Sequence, residues 1–483
     1  MKYPPPLLPD TNVNCCKQLF PHSRLCPNTL FRIQQYHKSA KFLLLFVLSA
    51  FWSVTQAQDT TRLSLLFAGD IMGHDSQIAS AYNAATKQYD YTSCYQFVKP
   101  YVESVDIAIG NLELTLAGPP YKGYPAFSSP DQLALNLKAA GFDVLVTANN
   151  HSCDKGKLGI ERTIEILDSF KIQHTGTFVD EVSRLNDYPL LLEKNGFKLA
   201  LLNYTYGTNG IPVPKPTIVN AIDTAQIAGD IAKAKKSSPD FIIAFMHWGN
   251  EYQSLPNSFQ KKVTDFLFKK GVALVIGAHP HVLQPMEFDK TQQKLVVYSL
   301  GNFVSGQRDR YKNGGAMVRV ELMKTRVDST ITPSIDSVNY ILQYVHRDES
   351  KDYYIVPIPT FERDSINFIK QQLDRESAAL FAKDSRILLG TNNKHVYEDT
   401  KHPKELIHYS ILLFTSEKAP GWQIFPPIDS FYGLTSIENK DGKVDHYLGS
   451  FQSLSEAERV RTRISGDLLK KEIVKFSNGQ PVF

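Results

Sequence analysis

Three histidines stand where apolar runs stop. His247 follows FIIAFM, and His279 and His281 follow VALVIGA as a His-Pro-His triplet. Imidazole binds transition metals, and His-x-His at the mouth of a strand can aim two rings at one point. Other apolar runs end the same way. Asp70 follows LSLLFAG, Asn111 and Glu113 follow DIAIG, Asn150 and His151 follow FDVLVT by two residues, and Asn302 follows KLVVYSLG. Any one of these is ordinarily a turn former or a helix cap. Their recurrence at successive strand ends points instead to a site, because α/β sheets place their chemistry at the carboxyl ends of parallel strands.

Carboxylates, an Asn amide and imidazoles suit Zn, Mn or Fe rather than Ca or a thiolate-bound metal. One or two divalent ions, with a carboxylate between them, would poise a water for in-line attack, and phosphoester cleavage is the usual task of such a site. His151 could protonate a leaving oxygen as general acid. Asp154 either orients that imidazole or caps the helix that begins near Gly156. Trp248 and Tyr252 either wall the cleft against substrate or simply pack. Glu251 could orient a ligand histidine from behind. Asn302 either positions a substrate oxygen or forms the turn.

These residues need a scaffold of strands and helices in alternation. Buried-strand patterns fall at 63–69, 106–109, 142–147, 198–202, 241–246, 272–276 and 294–298, with an antiparallel closing strand at 316–322. Helical patterns lie between them at 76–83, 93–105, 129–140, 156–170, 224–236 and 257–270. The alternation predicts a layered α/β domain over residues 58–362.

The chain has 483 residues, 42% of them hydrophobic and 21% charged, enough for two or three domains with ample cores. A net charge of +4 gives no ground for a nucleic-acid partner. Residues 42–54 form the most apolar run, too short for a comfortable membrane span. Basic residues precede it and Thr55-Gln56-Ala57 follows, so residues 1–57 read as a leader and secretory signal cut after Ala57. An uncleaved anchor is the alternative; after cleavage no stable span is expected. The mature chain is then secreted, and periplasmic or held at a bacterial cell surface. Of five cysteines only Cys94 and Cys153 follow the cut, and their spacing leaves a disulfide open.

The motifs GDIM (69–72), GNLE (110–113), ANNHSCDKG (148–156), MHWGNEY (246–252), GAHPHVLQPME (277–287) and YSLGNFVSG (298–306) resemble the CapA family of poly-γ-glutamate capsule biosynthesis proteins. That family is similar to the calcineurin-like metallophosphoesterases. The resemblance covers about residues 60 to 360 and implies a four-layer α/β/β/α sandwich. It implies metal ligation by Asp70, Glu113, Asn150, His247, His279 and His281, with His151 as the acid. The implied partner is an anionic capsule or envelope polymer. Two positions depart from the metallophosphoesterase pattern: Met72 replaces the histidine of Asp-x-His, and Asn111 rather than a bridging Asp follows Gly110. Thioether is a poor ligand for hard divalent ions, so one metal position is expected to be weak or filled differently.

A helical pattern at 363–389 leads out of this domain into a polar, turn-rich linker ending at 405. In the last module, 406–483, DHYLGSFQSLSEAERVRTRI and EIVKFSNGQ resemble the second half of a SPOR domain. The resemblance implies a small ferredoxin-like α+β fold that binds peptidoglycan. It places Tyr447 and Phe451 on the binding face; the alternative is that both fill the small core.

Overall fold

A computed structural model of the chain describes residues 59–359 and, beyond them, 375–389, 395–399, 407–416, 434–439, 441, 443–451, 457, 461, 472–477 and 480–482. The leader and its cut after Ala57 lie outside the described residues, as does most of the stretch 453–464.

The strands that matter run in chain order as β1 (Asp59–Ile71), β2 (Ile107–Leu112), β3 (Val144–Val146), β4 (Gln173–Thr175), β5 (Leu190–Lys194), β6 (Phe197–Thr205) and β7 (Phe241–His247). They continue as β8 (Leu274–Ala278), β9 (Leu283–Asp289), β10 (Lys294–Leu300), β11 (Asn302–Val304), β12 (Gly314–Val327), β13 (Thr330–Arg347), β14 (Tyr353–Pro357) and β15 (Val396–Glu398). One sheet has the order β14-β13-β12-β1-β2-β3-β4, with β11 added beside β1 and β15 beside β13. The other has the order β9-β10-β8-β7-β6-β5. The site-bearing strands β1, β2 and β3 pair in parallel, as do β7 and β8.

Alternation along each strand explains how the sheets pack. Leu63, Leu65 and Phe67 of β1 share one core with Leu199 and Leu201 of β6, Ile243 and Phe245 of β7, and Ile276 of β8. The intervening residues Leu66 and Ala68 face the other way, onto Tyr95, Val102, Leu133, Leu137 and Leu167 of the helical segments. Leu202, Ala244 and Met246 likewise face Ile227, Ile231, Val263 and Leu267. Period-two side chains thus give two sheets face to face, each covered by helices on its far side. Runs such as FIIAFM are apolar throughout because both faces are buried.

Three expectations change. The helix expected at 93–105 is two short pieces, Thr92–Tyr95 and Lys99–Val102, because Pro100 has no N–H to carry one helix through. The antiparallel β13 and β14, missed in the pattern, widen the first sheet; β13 begins TITPSIDS, too polar to read as buried. The segment expected to lead away from the domain packs back on it. Ala378, Phe381, Ala382 and Leu389 of the helix Arg375–Leu389 and Val396 of β15 join the core between the sheets.

The C-terminal strands Ile407–Ser416, Leu434–Glu438, Val444–Phe451, Glu472–Ser477 and Gln480–Val482 form a separate five-stranded antiparallel sheet. Tyr447 is fully buried there, edge-on to Phe476 and packed with Leu412 and Val474. It fills the core of the sheet and presents no binding face, which corrects its expected contact with peptidoglycan. The side chain of Phe451 lies outside the described residues. Among the described residues no helix is long and apolar enough to cross a membrane, and Cys94 and Cys153 are both buried and unpaired.

Candidate metal centre

The carboxyl ends of β1, β2, β7 and β8 meet at one seam between the sheets. Asp70 pairs in register with Asn111 of β2 and with Asn302 of β11. His247 pairs with Ala278, so His279 begins the next turn beside it. The turn is tight: His279 has φ of 99° and His281 φ of 59°, left-handed values that cost a non-glycine residue roughly 1–3 kcal/mol each. Such strain survives only where the surroundings enforce it, and here it turns both rings toward the seam. Gly277 is required just before: a Cβ there would lie 2.1 Å from the Tyr298 carbonyl oxygen.

Donor atoms converge in three overlapping sets: Asp70, Glu113 and His281; Glu113, His247 and His279; and Glu251, His279 and His281. Within each set, one donor from each residue lies within 4.8 Å of the others. All but Glu251 are buried. Asn150 joins them through its Oδ1, 2.7 Å from His247 Nε2. Every metal ligand expected from the sequence is therefore at this seam, with Glu251 in addition.

The polar bookkeeping shows what is missing from the protein side. Asn111 donates from Nδ2 to Asp70 Oδ1 at 2.8 Å, and His281 Nδ1 lies 3.1 Å from Asp70 Oδ2. Among the described residues, no donor reaches either oxygen of the buried Glu113 carboxylate, and Asn111 Oδ1 and His279 Nδ1 also lack partners. His247 Nε2 and His281 Nε2 stand 3.5 and 3.8 Å from Glu113 Oε1, at or beyond the limit of a hydrogen bond. An orphaned carboxylate in a sealed pocket costs several kcal/mol, and a bound cation is the usual remedy. The donor set, two carboxylates with three imidazoles and amide oxygens, fits Zn, Mn or Fe.

Electrostatics agree. Burial first, and then the neighbouring Asp70 charge, raises the Glu113 carboxyl well above the usual carboxylate range. Burial alone would raise Asp70 too, but hydrogen bonds with His281 and Asn111 outweigh it and hold Asp70 below its ordinary value. Burial, helped by His281, pushes His279 down to about 3, and burial with its histidine neighbours carries His247 well below its ordinary value. Neutral imidazoles are what a metal needs.

His151 is positioned separately. Its Nδ1 donates to Asp154 Oδ2 at 2.8 Å, the same oxygen that accepts the Phe127 N–H at 2.7 Å. The Phe127 ring stands edge-on to the imidazole at 4.6 Å. Asp154 thus orients His151, the first of its two expected roles; the side chain caps no helix end. Nε2 is the ring nitrogen of His151 that this contact leaves uncommitted.

The expected substrate contacts divide. Trp248 is fully buried, packed among Met246, Val263 and Leu267 with Nε1 donating to the Tyr298 carbonyl at 3.0 Å. It is a core residue and no cleft wall, because the residue after His247 points to the helix-covered face. Asn302 is also fully buried; its Oδ1 lies 3.0 Å from His281 Nδ1, and its Nδ2 donates to Gln307 Oε1 and the Lys312 carbonyl. It bonds His281, a candidate ligand, at Nδ1 and leaves Nε2 toward the seam. Tyr252 does stand at the rim, 47% exposed, its ring 6.0 Å from His281 and under Lys312 Nζ at 4.1 Å.

Asn111, expected at the site as one of the strand-end residues, braces Asp70, as above. One residue was missed in the pattern. Tyr206, at the end of β6, lies 4.5 Å from His279 and stacks parallel to His247 at 6.4 Å; the strand-end rule applied to KLALLNYTY could have found it. Met72 is buried in the apolar layer under the first sheet and offers no donor. His74 starts the helix Asp75–Ala81 and accepts the Gly306 N–H at Nδ1, so it is committed elsewhere.

Comparison with known proteins fits this construction. The chain is 27% identical over 362 residues to the capsule biosynthesis protein CapA of Bacillus anthracis, spanning 71% of this chain and 81% of that one. It is 30% identical over 273 residues to the PGA biosynthesis protein CapA of Bacillus subtilis, spanning 54% of this chain and 68% of that one. The NAD nucleotidase of Haemophilus influenzae superposes over 71% of this chain and 65% of its own at 14% identity, with a TM-score of 0.36, too loosely to argue from. Residues 64–307, the stretch that carries every donor at the seam, match the bacterial capsule synthesis protein family PGA_cap, and the chain belongs to that family.

Proposed function

We propose that this protein is a metal-dependent hydrolase of phosphoester type that acts on an anionic capsule or envelope polymer, or on its phosphorylated precursor. The buried, unpartnered Glu113 carboxylate beside three imidazoles carries this reading. Asp70, Glu113, Asn150, His247, His279 and His281 would hold one or two divalent ions, with Zn, Mn and Fe the suitable metals. A bound ion supplies charge stabilisation for a phosphoryl group and a hydroxide equivalent at neutral pH.

The chain's own residues do the rest. Asp154 holds the Nδ1 proton of His151 and presents Nε2 to the cleft. From there His151 passes a proton to the oxygen that leaves, and general-acid help of this kind is worth about 10²–10⁴-fold. Asn111 and Asn302 keep Asp70 and His281 in place. Lys312, over the exposed Tyr252 ring, is paired with Asp309 and holds that ring at the rim.

The burial of Met72 favours a second reading, in which the site holds a polymer carboxylate through metal without turnover. The two separate in one experiment. Purified protein loaded with Mn should hydrolyse a chromogenic phosphodiester, and His151→Ala should abolish that while keeping its metal. Full metal occupancy with no turnover in the parent would leave binding as the function.

The secretory leader and the likeness of 406–483 to SPOR domains support a place outside the cytoplasm and a tether to peptidoglycan. That tether would use a face other than the one Tyr447 occupies. Full-length protein should pellet with purified sacculi, and a chain ending at 405 should not; equal pelleting of the two would remove the tether.

A further inference from the structure

We propose that Glu251 is itself a metal ligand, the solvent-side donor that completes a second ion position, in place of the donor that Met72 cannot supply. This rests on the metal-centre reading above and gives Glu251 direct ligation in place of the orienting role expected from the sequence.

Three observations carry it. First, the Glu251 carboxylate lies within 4.8 Å of donor nitrogens of both His279 and His281. Those two histidines also belong, one each, to the two buried donor sets, so Glu251 reaches across both. Second, His279, a member of the same set, is 3% exposed and carries an unsatisfied nitrogen, Nδ1. Third, the placement of Glu251 is built. The Trp248 N–H donates to the Ala278 carbonyl at 3.1 Å and the Tyr252 N–H to the Pro280 carbonyl at 2.8 Å. These bonds zip the turn 248–252 onto the turn that carries His279 and His281. Gly249 with φ of 94° and Tyr252 with φ of 63° fold the turn back on itself, and the buried Trp248 anchors its base.

The asymmetry of the donors has a consequence. Asp70 and Glu113 are sealed in the seam, whereas Glu251 is exposed. An ion held partly by Glu251 sits at the lip and exchanges with solvent faster than one held by the buried set. The centre thus has a tight inner position and a labile outer one.

Mn release from the full-length protein tests this. The parent, Glu251→Gln and Glu251→Asp are loaded with Mn, desalted, and analysed for bound metal, for release to a chelator, and by electron paramagnetic resonance. The parent should retain two ions with the signature of a coupled pair. Glu251→Gln should retain one, with an isolated-ion spectrum, or release one of two at least tenfold faster; Glu251→Asp should fall between. Thermal unfolding of the metal-free variants should match the parent, since the side chain is exposed. Equal stoichiometry and equal release rates for parent and Glu251→Gln, whether one ion or two, would overturn the proposal and leave the metal centre standing. A parent that binds no Mn, Zn or Fe would take the metal centre down as well.

Discussion

His151 Nδ1 and Asp154 Oδ2 lie 2.8 Å apart, with side chains only 4% and 1% exposed. The same carboxylate oxygen takes the Phe127 N–H, so an amide oxygen in its place could still accept both N–H groups but would remove the negative charge that faces the imidazole. Asp154→Asn should therefore retain metal yet lose turnover of a phosphodiester by about 10²-fold or more, through loss of the charge that supports His151 as an acid. The pH–rate profile should change shape as well, which a merely structural defect would not cause. Unchanged kinetics in Asp154→Asn would reduce the pair to packing.

Glu113 makes an opposite pair of demands on stability and function. With no donor on either oxygen, its charge destabilises the metal-free fold. Glu113→Gln should raise the metal-free stability by about 1–3 kcal/mol while abolishing stoichiometric metal. Urea unfolding in the presence of chelator measures the first and metal analysis the second. A variant less stable than its parent would mean that Glu113 has partners in the metal-free state.

Acid should weaken the metal-free protein through the histidines. His279 drops from its ordinary 6.5 to about 3 in the fold, and His247 is lowered too. The unfolded chain then binds protons that the native state refuses, so stability is whole above about pH 6.5 and falls as pH drops toward about 3. Each refused proton contributes a slope of about 1.4 kcal/mol per pH unit within that window. Glu113 works against this, because its raised pKa makes the native state take up a proton first. Glu113→Gln removes the opposing group. Its metal-free melting temperature should fall more steeply between pH 7 and 4 than the parent's, and a flat profile would contradict the burial of neutral His247 and His279.

Trp248 should behave as a core residue. Trp248→Ala empties a fully buried site and removes the donor to the Tyr298 carbonyl, at a cost of about 3–5 kcal/mol. Trp248→Phe should lose less and keep the chemistry. A Trp248→Phe variant of normal stability with impaired substrate affinity would restore the residue to the cleft.

The seam was readable because its residues stand at strand ends. FIIAFMH and VALVIGAHPH announce a buried run and then a polar stop, and the topology of parallel strands brings such stops together. What the pattern could not carry is side-chain direction just past a strand. Trp248 and Glu251 are three residues apart in one turn, yet one lies under the sheet and the other over the seam. Only the backbone bonds from Trp248 to Ala278 and from Tyr252 to Pro280 decide that. Tyr447 failed for a related reason: alternation gives two faces and does not say which is covered. The strand Thr330–Arg347 was invisible because its first half is polar and mostly less than fully buried, and so reads as loop.

Asp70 and Glu113 come from one sheet, and His247, His279 and His281 from the other, with more than two hundred residues of chain between the first and the last. No fragment of this domain can gather the donors before both halves have formed and docked. An ion captured at the seam therefore acts as a rivet across the whole body, adding to global stability by mass action. The metal supply of the compartment where the chain finally folds would set how firmly the two halves are joined.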